Sequence, residues 1–311
     1  MRIFQVDAFT TTRFTGNPAT VILDADGSSD ATMAAIAREY SHAETAFVLA
    51  ANGQDHDLRL RFFNARKEAP FVGHATVAAH AVLLALGRRR LGSCRQQSGT
   101  GIVEVRAIAQ HPGSSPAMPL IEFRQSVPAL DDPLPLKTTL RVAEALRLAG
   151  AALHAELPAR VARKGSTRLL VPAADVRALD GLAPNHDTLQ EIGREIGVDG
   201  FFVFATERGA GGLSTESRMF CPALGIPEDP VSGNAHAMLA AYLFQQNQFE
   251  GQNRGRFAGN GASFVGRQGA HVNRPGRVFV DLDIDRGKLI SVRIGGGATI
   301  VSEGTLAEDS R

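Results

Sequence analysis

Thiols are scarce in this 311-residue chain. Its two cysteines, Cys94 and Cys221, lie far apart and neither has a CxxC partner. That rules out a cysteine-based zinc site, and with no export signal in view it argues against a structural disulfide. Net charge is also nearly absent: 33 Lys and Arg face 32 Asp and Glu, a formal charge of +1. Nothing in that balance draws the chain to nucleic acid or to a membrane surface. No apolar run reaches the ~18 residues of a membrane-spanning helix. The opening Met1-Arg2-Ile3-Phe4-Gln5-Val6-Asp7 reads as a strand and lacks the regions of a signal peptide. The cytoplasm is therefore the expected location. Nucleotide loops are missing too, because Gly259-Asn260-Gly261 and Gly295-Gly296-Gly297 do not link a strand to a helix in either phosphate-binding pattern. Both read as turns. There is no GxSxG elbow, and His74 and His80, six apart, would not share a helical face as metal ligands.

What is present is a phrase written twice. Gly73-His74-Ala75-Thr76-Val77-Ala78-Ala79-His80 and Gly233-Asn234-Ala235-His236-Ala237-Met238-Leu239-Ala240-Ala241 each place glycine, a polar residue and alanine ahead of an apolar run. A glycine-led turn into a helix leaves backbone N–H groups at the positive end of the macrodipole, a setting for a carboxylate. Two such turns suggest a duplicated unit and a small anionic ligand shared between two halves.

The periodicity around these turns predicts mostly strands. Ile3 to Phe9, Ala19 to Leu23, Thr45 to Leu49 and Leu58 to Phe62 read as strands, with a helix from a capping Asp30 to Tyr40. The run from Ala75 to Leu86 is so uniformly apolar that its helix must be buried on most sides. Arg88-Arg89-Arg90, after Gly87, reads as a solvated helix end. The Pro-, Gly- and Ser-rich stretch from Gln110 to Pro119 marks the expected domain boundary. Beyond it, strands are expected at Ile121 to Phe123, Arg168 to Val171, Phe201 to Phe204, Val278 to Leu282, Leu289 to Ile294 and Ala298 to Val301. Helices are expected at Leu136 to Ala149, at Asp187 to Ile196 with Gly197 as its stop, and from Gly233 onward. Strands beside strands, with one buried helix per half, give an α+β class.

Three side chains could carry chemistry. Glu44 stands at the entrance to an apolar strand, where lost hydration would raise its pKa and let it both take and give a proton. Read locally, the sequence favours a surface glutamate at a strand end. His74, at the start of the buried helix, can donate, accept or protonate, or be a structural histidine. Asp229, held extended by Pro230, is either a site carboxylate or the cap of its own turn.

Taken in order, Phe4-Gln5-Val6-Asp7-Ala8-Phe9, Gly16-Asn17-Pro18-Ala19, Glu44-Thr45-Ala46-Phe47-Val48, Gly73-His74-Ala75-Thr76, Arg218-Met219-Phe220, Glu228-Asp229-Pro230 and Gly233 resemble the phenazine-biosynthesis isomerases of the PhzF type, over nearly the whole chain. The resemblance implies a diaminopimelate-epimerase-like fold of two similar domains, each a curved sheet wrapped around a central helix. The domains would be 1–117 with about 287–311, and 118–286, with the active site in the cleft between them. It implies cofactor-free isomerisation of trans-2,3-dihydro-3-hydroxyanthranilate or a related small carboxylate, by a homodimer. Glu44 would move the proton, while His74 and Asp229 would orient substrate and assist protonation. Gly73, Ala75, Ser232, Gly233 and Asn234 would line the substrate's polar groups.

Three departures from the family pattern stand out. Val72 replaces a common Cys, Asn64-Ala65-Arg66 replaces a Thr-Pro pattern, and Ser232-Gly233-Asn234 replaces Thr-Gly-Ser. Asn234 brings an amide where a hydroxyl meets the ligand, so the substrate is expected to differ there. Two rivals use the same fold: an epimerase or racemase of a small amino acid, and a non-catalytic small-ligand binder. The two-thiol form of racemisation needs a cysteine at each helix mouth, and the mouths carry His74 and Asn234.

Overall fold

The computed structural model describes residues 1–40, 44–109, 119–210, 212–249 and 261–307. The chain divides into two compact units, Met1–Arg124 with Gly295–Arg311, and Gln125–Ile294. The Pro- and Gly-rich boundary segment lies, apart from its last residue, outside the described residues, as do Gly259 and Asn260.

In the first unit, strand Arg2–Ala8 pairs antiparallel with both Asn17–Leu23 and Ala298–Thr305. The sheet continues through Thr45–Ala50, Leu58–Phe63, Gly92–Ser98 and Gly101–Ile108 to Leu120–Ser126. It wraps around the helix Gly73–Ala85, which packs on strands Arg2–Ala8, Asn17–Leu23, Thr45–Ala50 and Ala298–Thr305. From Ala75 to His80 every residue of that helix is buried, and its small side chains let the sheet close on it. On the sheet's other face the helix Asp30–Glu39 packs Met33 and Ala37 against Ile3, Ile22, Phe47, Leu49 and Phe63. Strands covered on both faces lose their alternation, which is why Thr45 to Leu49 reads as one apolar run. The cap of the outer helix is Ser29, not Asp30: its Oγ accepts the N–H of Thr32.

The second unit repeats the plan. Ala129–Pro133, Arg160–Arg163, Thr167–Pro172, Gly200–Gly209, Gly212–Cys221, Ser263–Gln268 and Gly276–Asp285 pair in sequence. Its central helix, Gly233–Gln245, is buried over most of its length. Helices Leu136–Leu146 and His186–Ile196 cover the opposite face, packing Val142, Leu146, Leu189 and Ile192 on Leu169, Val171, Phe201 and Val203. Gly197 ends the latter helix in the left-handed conformation (φ 70°). Each unit is a sheet around one buried helix, the α+β arrangement the pattern predicts.

Two sequence readings are corrected by packing. Gly295 and Gly296 belong to the strand Lys288–Gly296 and not to a turn; a Cβ on Gly296 would lie 2.4 Å from the Phe9 ring, so glycine is there for close approach. Arg89 is not a solvated helix end. Its guanidinium turns inward to His80 Nδ1 and donates to the Gly92 and Val105 carbonyls, each at 2.7 Å. His80 in turn reaches Gln96 Oε1 from Nε2 at 3.0 Å, tying the first central helix to two strands.

Candidate functional site

The first unit presents a paired acid and base at the mouth of its central helix. Pairing of Thr45 with Thr20 and Phe63 anchors the strand whose entrance is Glu44, and the Glu44 carbonyl accepts the Thr20 N–H at 3.3 Å. Val72 precedes the helix in an extended conformation and offers no capping side chain. Gly73 follows, with an added Cβ meeting the Phe123 ring at 3.0 Å. That ring stacks edge-on with Phe71, and Phe71 with Phe62, so an aromatic platform fixes where the helix begins. His74 then projects so that its Nε2 lies 3.3 Å from Glu44 Oε2, with the two side chains 13% and 28% exposed. Ala75 is fully buried and can offer only its backbone.

Burial pushes the Glu44 carboxyl up, as the sequence suggested. The hydrogen bond and charge of His74, helped by a backbone hydrogen bond, outweigh it and hold the group below its ordinary value. At neutral pH Glu44 is therefore a carboxylate, poised as a base, where burial alone would have kept it protonated longer. One consequence is testable: in His74→Ala the carboxyl should titrate at higher pH than in the parent, because burial then acts almost unopposed. Carbon-13 NMR of labelled glutamate reads the shift directly; an unchanged or lower value would mean that His74 does not hold the carboxylate.

The second unit gathers Asp229, Ser232, Gly233 and Asn234 on one turn. Arg218 grips Glu228 with two bonds, Nε to Oε1 at 3.0 Å and Nη2 to Oε2 at 2.8 Å, while Nη1 donates to the Leu179 and Leu182 carbonyls. The guanidinium also lies 5.1 Å from the centre of the Phe220 ring. Both side chains are largely buried, so this bidentate pair pins the strand Ile226–Asp229 that delivers Asp229. Ser232 caps the central helix by accepting the Ala235 N–H at 3.2 Å. Gly233 is buried at the first helical position. Asn234 spends its amide nitrogen on the protein, donating to the Lys164 carbonyl and to Ser166 Oγ at 3.0 Å each. Its side chain can thus offer a ligand the acceptor Oδ1 but no N–H.

Glu44 and His74 are in contact in one unit; Asp229, Ser232, Gly233 and Asn234 share a turn in the other. Arg218 and Glu228 were visible only as parts of a motif, and Lys164 and Ser166 gave no local signal, because their partner Asn234 lies about seventy residues on. Both cysteines are buried and free. Burial pushes the Cys221 thiol up to about 12 and raises that of Cys94, so neither is a thiolate at neutral pH. Among the described residues, no group of His, Cys, Asp or Glu is arranged to hold a metal ion, and no helix is long and apolar enough to cross a membrane.

The family model of phenazine biosynthesis-like proteins, PhzC-PhzF, matches residues 6–304. The sequence is 37% identical over 303 residues to the Uncharacterized isomerase YddE of Escherichia coli O157:H7, with 96% of each chain covered. It is 28% identical over 302 residues to the trans-2,3-dihydro-3-hydroxyanthranilate isomerase of Pseudomonas chlororaphis, covering 97% of each. The crystal structure of the Bacillus anthracis phenazine biosynthesis protein of the PhzF family matches with a TM-score of 0.84 at 25% identity, over 99% of both chains.

Proposed function

The chain belongs to the phenazine biosynthesis-like PhzC-PhzF family and is, like its named relatives, an isomerase; from that premise we propose that Glu44 moves a proton between two carbons of a small cyclic carboxylate of the trans-2,3-dihydro-3-hydroxyanthranilate type, without a cofactor. The observation that carries this reading is the Glu44–His74 pair, 3.3 Å apart at the mouth of a buried helix.

The chemistry follows from two opposed influences on one carboxyl group. In the free protein the His74 contact keeps Glu44 ionised, ready to take a proton from an acidified carbon. As His74 turns toward substrate, burial acts almost unopposed and makes the carboxylate a stronger base. The C–H bond breaks, its electrons spread into the conjugated ring carboxylate, and Glu44 becomes a neutral acid. It then returns the proton at another carbon, where a new C–H bond forms. One bond is lost and one gained, and nothing is oxidised.

The first-turn N–H groups at Gly73 and Ala75 suit the substrate's carboxylate, at the positive end of the helix. Asp229 and the turn Ser232-Gly233-Asn234 are assigned to orienting substrate. Because Asn234 presents an acceptor where a serine could donate, the preferred substrate carries an amino or hydroxyl donor at that position. A homodimer belongs to the same reading and is tested by light scattering on the purified protein.

The direct test is a panel of cyclic dienyl amino acids and related carboxylates, including trans-2,3-dihydro-3-hydroxyanthranilate, followed by ultraviolet absorbance with chelator present and no cofactor added. Loss or displacement of the diene band with a donor-bearing member is the expected result. An inert panel, with the protein folded, would overturn the reading.

A further inference from the structure

Gln268 ends the strand Ser263–Gln268 and is only 2% exposed. Both ends of its side-chain amide are spent on one turn. Nε2 donates to the Asp229 carbonyl at 2.7 Å, and Oε1 accepts the Ser232 N–H at 3.0 Å. The turn spans Asp229-Pro230-Val231-Ser232, and Pro230 has no N–H with which to brace it from within. The next residue completes the cradle. Gly269 has φ +92°, and a Cβ there would stand 2.7 Å from the Pro230 carbonyl oxygen and 2.3 Å from that of Arg274, so only glycine lets the two backbones approach. Upstream, Arg218 holds Glu228. Downstream, Ser232 caps the central helix.

We propose that Gln268 is a positioning residue: its amide locks the Asp229 backbone and the mouth of the second central helix into one geometry, and so aims the Asp229 carboxylate. The catalytic part of this inference rests on the reading above, in which Asp229 orients substrate. A glutamine is required because the turn offers one acceptor and one donor, and no other side chain of that length supplies the matching pair at neutral pH. Misplacement of an orienting group by about 1 Å costs on the order of 100-fold in rate.

Gln268→Glu is the informative variant. Its carboxylate can still accept from Ser232 but faces the Asp229 carbonyl with no proton to give; once protonated, it regains the donor. With trans-2,3-dihydro-3-hydroxyanthranilate as probe, kcat should fall about 10- to 100-fold at pH 8 with KM little changed, and recover as the pH is lowered through the titration of the introduced carboxyl. The parent protein should show no such recovery. In parallel, hydrogen exchange on Gln268→Leu should quicken at least about tenfold at the Ser232 amide, while residues 239–245 of the same helix keep their protection.

Exchange unchanged at Ser232, or a uniform loss of protection and of melting temperature, would overturn the inference. So would a pH-independent loss of rate in Gln268→Glu. If the parent itself fails to turn over the probe while Ser232 exchange quickens locally, the substrate assignment has failed and the clamp stands.

Discussion

Glu44→Gln is expected to lower kcat for the proposed substrate by about 10³-fold, within the range that a positioned acid or base contributes, while leaving the melting temperature close to that of the parent. Glutamine matches glutamate in size and still presents an oxygen to His74 Nε2, so the contact at 3.3 Å has a substitute acceptor. What it lacks is basicity. Since Glu44 is partly exposed at the strand entrance and outside the core, little packing is at risk. KM should change by only a few-fold, because the proposed reading assigns binding to backbone N–H groups and not to the proton. Steady-state kinetics on both proteins checks this; a loss of tenfold or less would remove Glu44 from the role of base.

The second large effect is on stability. His80 and His236 are fully buried in the two central helices. Burial, with the Arg89 charge added, drives His80 down to about 3, and burial drives His236 down to about 4. In the unfolded chain a histidine titrates near 6.5. Between pH 6.5 and those folded values the unfolded state binds protons that the folded state excludes, so stability is complete above about 6.5 and declines as the pH falls. Each residue contributes up to about 1.4 kcal/mol per pH unit, and the two together remove on the order of 5 kcal/mol between pH 7 and pH 4. That is a large part of an ordinary folding free energy. Glu44, depressed in the folded state, adds a loss in the same direction below the ordinary glutamate range. Urea unfolding at pH 7, 6, 5 and 4 should show the decline. His80→Gln, which can keep an acceptor toward Arg89 and a donor toward Gln96, should flatten the slope by about half. A stability independent of pH across this range would contradict the account.

The fold was legible where the chain is monotonous. Alanine-rich runs at Ala75 and Ala235 can be stable helices only when surrounded, and the twin glycine turns placed both mouths correctly. The Glu44 and His74 side chains could be named from position, yet the direction of the Glu44 shift could not. It depends on a contact between residues thirty positions apart, and local sequence carries only the burial that pushes the other way. Gln268 was invisible for the same reason: nothing near it announces a turn thirty-six residues earlier. Arg89 misled because a cation after a helix end is usually hydrated, and only the folded chain brings it His80 from the buried face of the helix and two carbonyls from the sheet. Asn234 was read as a ligand group offering both donor and acceptor, and the hairpin at Lys164–Ser166 takes the donor half.

The central claim is that Glu44 carries the migrating proton. With the side chain 28% exposed, its carboxyl proton should exchange with solvent over repeated turnovers. The parent protein and Glu44→Gln should therefore be run side by side in deuterated water with the proposed substrate, and the products examined by mass spectrometry. Deuterium at the newly formed C–H position with the parent, and none with the variant, is the predicted result; equal uptake in both would contradict it.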